Sequence, residues 1–213
     1  MAETSKSEYP QKAYDTLEPM SRDDIEKYFA GSNIPCEDVG LDDLPASILE
    51  TLDEQTQRGR DGRSLSELFD TVSSIQYPDG FTTYFASYLR SDNNVPDEKV
   101  VKVIDTNANE IVVGNGTIVF YLPTNTSIVS GARHKMIGFP FVGTTDTLSE
   151  HRQQGLGARR LFVMGYISRK IFGMPLYSGL QPSPQAKSLW DTLVQEELAT
   201  PPTGETHHRY RFL

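Results

Sequence analysis

A single cysteine, Cys36, leaves no partner for an internal disulfide and fits a reducing compartment. No apolar run approaches the roughly 18 residues that read as a membrane span. The opening Met-Ala-Glu-Thr-Ser-Lys-Ser-Glu lacks the apolar core of a signal peptide. Together these absences lead us to expect a cytoplasmic protein with no membrane partner. Basic residues are also in the minority, with 20 Lys and Arg against 29 Asp and Glu, a net charge of −9. Broad binding to nucleic acid needs many phosphate contacts, and this balance weighs against it. Arg58, Arg60 and Arg63 form one small local cluster that keeps a nucleic-acid acceptor open. The four histidines are poorly spaced for a metal. His207 and His208 are adjacent and face opposite sides of a strand, while His134 and His151 lack ligand-like spacing to any cysteine or acid. No metal is expected. No nucleophile triad, internal repeat or long low-complexity segment is visible.

What is present is one domain's worth of chain, 213 residues. Residues 1–12 are polar and read as a disordered tail, which leaves 13–213 as the domain. Tyr14 to Glu18 reads as a short strand, and Ser21 caps a helix that Gly31 ends. Leu41 to Leu52 suggests a helix through Leu44, Ile48, Leu49 and Leu52. Ser64 to Ile75 suggests another, with Leu65, Leu68, Phe69 and Val72 on one side. Tyr77-Pro78-Asp79-Gly80 is a turn. Phe81, Tyr84, Phe85 and Tyr88 then repeat at three and four residues, as a core stripe or as the wall of an acceptor pocket. Residues 32–98 are therefore expected to be a helical segment on the acceptor side, closing with a loop from Ser91 to Asp97.

The rest reads more plainly. Lys99 to Ile104 and Glu110 to Leu122 are β-branched and flank turn chemistry at Asp105 to Asn109, so they form a hairpin. A loop covers 123–138, and Pro140 delays the next strand to Phe141. Gly155 and Gly157 follow that strand and precede Leu161, Met164, Ile167 and Ile171 at helical spacing, with Gly173 as the stop. Pro175 to Gly179 is a short strand. Ser183-Pro184 has the order of a cap and a first helical proline, ahead of Leu189, Trp190, Leu193 and Val194. His207 to Leu213 is a closing strand.

The stretch from Glu150 to Leu161 organises the rest. Strand, glycine loop and helix start together make a pyrophosphate cradle, because glycines admit the ligand and free N–H groups point at it. A tight turn with close helix packing would use the same glycines. The pattern is Arg-x-x-Gly-x-Gly at Arg152, Gly155 and Gly157, and it is neither G-x-G-x-x-G nor a Lys-Ser/Thr phosphate loop. It resembles the acyl-CoA signature of the GNAT N-acetyltransferase superfamily. Ala186-Lys187-Ser188-Leu189-Trp190 is similar to that family's second conserved helix, with Ser183 in the place of its asparagine and Trp190 in that of its tyrosine.

The resemblance implies an α/β (α+β) fold, with a mixed, mostly antiparallel sheet flanked by helices. It implies that backbone groups of Thr145, Asp146 and Thr147 pair with a pantetheine arm. Arg152, Gln153, Gln154, Gly155, Leu156, Gly157 and Ala158 would hold the pyrophosphate, and Ser183 joins them as a cofactor-binding position. Arg159 or Arg160 would reach a 3′-phosphate, or else be solvated helix charges. The implied reaction is acetyl transfer from acetyl-CoA to an amine of a small molecule or protein. An acyl transfer needs a neutral amine and gains from a proton donor to the thiolate. Trp190 has no titratable proton near neutral pH. Tyr177, Ser183 and Asp146 are the candidate proton carriers, each with an ordinary structural or capping role as the alternative. The competing functions are a CoA-fold binding or regulatory protein with little turnover and a GNAT-like enzyme, such as a phage one, that modifies a nucleotide or nucleic acid.

Overall fold

A computed structural model describes residues 34–57, 62–69, 71–92, 95–122, 137–148, 151, 156–204 and 209–213. The expected strand at Tyr14, the helix capped by Ser21, the polar tail, Arg58, Arg60, His134, His207, His208 and the loop Arg152–Gly155 lie outside the described residues.

The architecture is a six-stranded antiparallel sheet, in the order β1-β2-β3-β4-β5-β6, with helices on both faces. The strands are β1 (Glu37–Val39), β2 (Val72–Gln76), β3 (Thr82–Asp92), β4 (Val95–Thr106), β5 (Val112–Tyr121) and β6 (Phe141–Thr147). Helices α1 (Ala46–Thr56) and α2 (Leu65–Leu68) come before β2, while α3 (Leu156–Phe172) and α4 (Pro184–Gln195) follow β6. A two-stranded ribbon of β7 (Ala199–Thr200) and β8 (Arg211–Phe212) closes the chain.

The expected hairpin is β4–β5, paired from Glu98↔Tyr121 to Thr106↔Val112. β6 begins at Phe141, directly after the proline. α3 ends at Gly173, whose φ of 66° and N–H bond to the Arg169 carbonyl close the last turn.

Residues 32–98 are not the helical insertion that their spacing suggested. They contribute β1, β2 and β3 to the main sheet as well as α1 and α2. Pro45 disfavours helical geometry at Leu44, so α1 starts at Ala46 and runs on to Thr56. The second expected helix stops after Leu68, because Phe69 turns extended and Val72 enters β2. The aromatic stripe begins at Phe81, just before β3, and continues along that strand. Phe81 and Phe85 enter the core under α3 and α4, while Tyr84 and Tyr88 enter the core under α1. A strand buried on both faces carries apolar residues at both parities, and that imitates helical spacing. The expected loop from Ser91 to Asp97 is largely strand, since β3 runs to Asp92 and β4 starts at Val95. Pro175 to Gly179 contributes single bridges at Tyr177, parallel to Phe141 and antiparallel to Arg211, rather than a continuous strand. No helix among the described residues is long and apolar enough to cross a membrane.

Candidate functional site

The sheet opens at β6. Val142 donates its N–H to the Tyr177 carbonyl, and Tyr177 donates to the Pro140 carbonyl, both at 2.9 Å. The register of β5 and β6 then shifts, with Ile118 opposite Val142 and Thr117 opposite Thr144. Gly143 is the extra residue of this bulge. A Cβ there would lie 2.9 Å from Val119 Cγ2, so a side chain at this point would crowd β5.

Beyond the bulge, β6 and the chain after Tyr177 part around a cleft of about 630 Å³. One wall is β6 from Val142 to Thr147, and the other is Gly179, Gln181 to Ser183 and the first turns of α4, with Leu189 and Trp190. Gly157 and Leu161 of α3 complete it. Leu148 donates its N–H to the Val113 carbonyl at 3.0 Å. By the alternation of an antiparallel ladder, Thr145 and Thr147 therefore turn their N–H and C=O groups away from β5, toward the cleft edge.

Thr145, Asp146, Thr147, Gly157, Ser183 and Trp190 thus come together from three separate stretches of sequence. Gly157 sits in the first turn of α3, where N–H groups have no intrahelical acceptor. Among the described residues, a Cβ at Gly157 would meet nothing within 4 Å, so their close helix packing does not require this glycine. Leu156 buries its side chain in the core, and Ala158 is not part of the cleft wall. Arg152, Gln153, Gln154 and Gly155 lie outside the described residues.

The proton-carrier candidates fare unequally. Tyr177 is not in the cleft. Its ring packs edge-on against Phe139 at 5.2 Å, and the buried Arg209 guanidinium lies 5.0 Å from the same ring. Ser183 caps α4, its hydroxyl accepting the Ala186 N–H at 3.2 Å, while also lining the cleft. Asp146 is exposed on the β6 wall. Trp190 is buried and stacks on Tyr210 at 5.7 Å. The Tyr210 hydroxyl donates to Asp191, and burial followed by that bond raises its pKa.

Two arginines expected as phosphate contacts or solvated charges are neither. Arg159 is buried, pairs with Asp79 and lies over the rings of Tyr77 and Phe81, at 4.8 and 4.7 Å. Arg160 is fully buried. Its Nε meets Asp105 at 2.6 Å, and its Nη1 donates to the Asp146 carbonyl at 2.5 Å and to the hydroxyls of Thr145 and Thr147 at 3.3 and 3.1 Å. Asp105 also accepts from Thr83 at 2.7 Å. Arg160 therefore ties the cleft wall of β6 to β4. The sequence signal for it is Gly114-Asn115-Gly116, because a Cβ at Gly114 would fall 2.0 Å from Arg160 Nη2 and one at Gly116 3.1 Å from its Cδ.

On the opposite face, Lys102 is half-buried. Burial and then the Arg90 guanidinium push its ammonium down to about 8, against the pull of Glu98. Among the described residues, no group of His, Cys, Asp and Glu is placed to hold a metal ion. Searched against protein-family models and against curated proteins, the chain matches none.

Proposed function

We propose that this chain is an acyl-CoA-dependent N-acyltransferase that moves acetyl from acetyl-CoA to an amine. The observation that carries the reading is the convergence of the open β6 edge, the first turn of α3 and the capped start of α4 on one cleft. An extended amide-bearing arm pairs with an open strand edge as a further strand would. A diphosphate suits a helix N-terminus, where N–H groups and the helix dipole favour negative charge. Gly157 leaves room for close approach there. Leu161, Leu189 and Trp190 give the cleft an apolar side.

In such a site the amine nitrogen attacks the thioester carbonyl carbon. The C–S bond breaks, and the thiolate leaves with the electron pair. Holding both reactants on one wall supplies proximity, and outward backbone N–H groups of β6 are suited to stabilise the carbonyl oxygen as it gains charge. A second reading, a CoA-binding protein with little turnover, is favoured by Trp190 at the position of the family's tyrosine and by the packing of Tyr177 outside the cleft.

Thiol release from acetyl-CoA, followed with and without a panel of primary amines, separates the two. The transferase reading expects release that depends on an amine. Tight CoA binding with no release under any amine favours the binding protein.

A further inference from the structure

On the sheet face away from α3, β4, β5 and β6 set three polar side chains in a row. The register pairs Lys102 with Thr117, and Thr117 with Thr144, so all three stand on one face of adjacent strands. Lys102 Nζ lies 3.3 Å from Thr117 Oγ1, and the Thr144 hydroxyl donates to that same oxygen at 3.1 Å. Thr144 is part of the cleft wall, whereas Lys102 is not. The row thus runs from the cleft wall on β6, across β5, to a half-buried amine two strands away on β4.

We propose that Lys102, Thr117 and Thr144 form a proton relay that draws a proton from an amine held in the cleft and stores it on Lys102. The inference rests on the acyl-transfer reading above. The neutral Lys102 nitrogen accepts the Thr117 hydroxyl proton. Thr117 takes the proton of Thr144, and Thr144 takes one from the substrate ammonium. The freed amine forms its C–N bond as the C–S bond breaks, and the departing sulfur takes the second amine proton. The products are an amide, a thiol and a Lys102 ammonium that returns its proton to water.

The surroundings of Lys102 suit the role. A lysine with its ordinary pKa would be as protonated as its substrate amine, whereas the depressed value of about 8 leaves a neutral fraction to act as base. Arg90 of β3 and Glu98 of β4 are the charged groups acting on it, and they pair with each other. Tyr88 of β3, Tyr121 of β5 and Asp146 of β6 share the face by register. The Thr144-to-Thr117 hydrogen bond already runs in the relay's direction. The Lys102–Thr117 bond reverses when Lys102 loses its proton.

The test is thiol release from acetyl-CoA with spermidine and with tyramine, across about pH 6 to 10, on the faster of the two, with release in water alone subtracted as background. Wild-type kcat/KM should rise through about pH 8. Lys102→Arg keeps a cation and a donor but has no neutral form in this range, and Thr144→Val removes the cleft hydroxyl. Both should lose the rise and turn over about a hundredfold more slowly. Thr144→Ser should restore rate and profile. CoA affinity by calorimetry should match wild type throughout. Thr144 is exposed on an edge strand, so its variants carry the test should Lys102→Arg fail to fold. A Lys102→Arg or Thr144→Val enzyme with the wild-type profile overturns the relay, as does a protein that binds CoA and releases no thiol. A chain that binds no CoA removes the acyl-transfer reading itself, a separate result.

Discussion

Arg160 and Lys102 show two fates of a buried cation. Arg160 is fully buried, and its charge is met through Nε and Nη1 by a carboxylate, a carbonyl and two hydroxyls, with only Nη2 left without a partner among the described residues. Arg160→Met would strand the Asp105 carboxylate inside the protein, at a cost of about 3–5 kcal/mol. Denaturant unfolding should show that loss, and adding Asp105→Leu should recover part of it. Recovery by Asp105→Leu is expected because a buried pair replaced by apolar groups of similar volume is often neutral. Lys102 instead has its ammonium disfavoured by burial and by Arg90. The unfolded chain binds more protons than the native one between about 8 and the ordinary 10.5, so wild-type stability should rise with pH across that window. The penalty is full below about 8. Lys102→Met should accordingly be more stable at pH 7, by on the order of 1–2 kcal/mol after allowance for partial solvation, and its advantage should shrink toward pH 10. Equilibrium unfolding of both proteins at the two pH values reads this directly.

At the scale of elements, α4 is the clearest case of local sequence deciding local structure. Ser183 caps it and Pro184 occupies the first turn. Ser183→Ala should lower stability by about 1 kcal/mol, seen in the melting temperature, while Ser183→Asp should hold it. The β4–β5 hairpin, β6, α3 and the stop at Gly173 were legible for the same reason, since turn chemistry, β-branched runs, helical spacing and a left-handed glycine each act locally. Part of the cleft wall lies on those elements, since Thr145, Thr147, Gly157 and Ser183 belong to them, whereas Gly179, Gln181 and Pro182 gave no signal. The region 32–98 was not. Phe81, Tyr84, Phe85 and Tyr88 satisfy helical spacing, and only the presence of helices on both faces of β3 decides for strand. Arg159 and Arg160 were hidden likewise: their carboxylates, Asp79 and Asp105, lie 80 and 55 positions earlier, and no local pattern links them. Lys102 was hidden because Thr117, its hydrogen-bond partner, and Arg90, which lowers its pKa, come from two other strands.

For the whole molecule, the central feature is a six-stranded sheet that opens after Val142 and leaves one edge of β6 facing a cleft closed off by α3 and α4. If an extended arm pairs with that edge, bound CoA should slow amide exchange at Thr145 and Thr147 more than at Thr144, whose N–H faces β5. Equal protection along β6, or none, would speak against strand-like pairing. The account stands or falls on whether the cleft takes CoA through the first turn of α3. Gly157→Glu places a negative side chain where the diphosphate is expected, yet a Cβ there meets no atom of the described residues within 4 Å and an acid is favourable in a first helical turn. The direct measurement is calorimetric titration of CoA into wild type and Gly157→Glu, beside the melting temperature of each. The account predicts binding to wild type, an affinity at least about tenfold weaker in Gly157→Glu, and little change in melting. A wild-type protein that takes up no CoA at about millimolar ligand, or a variant that binds as well as wild type, would contradict it.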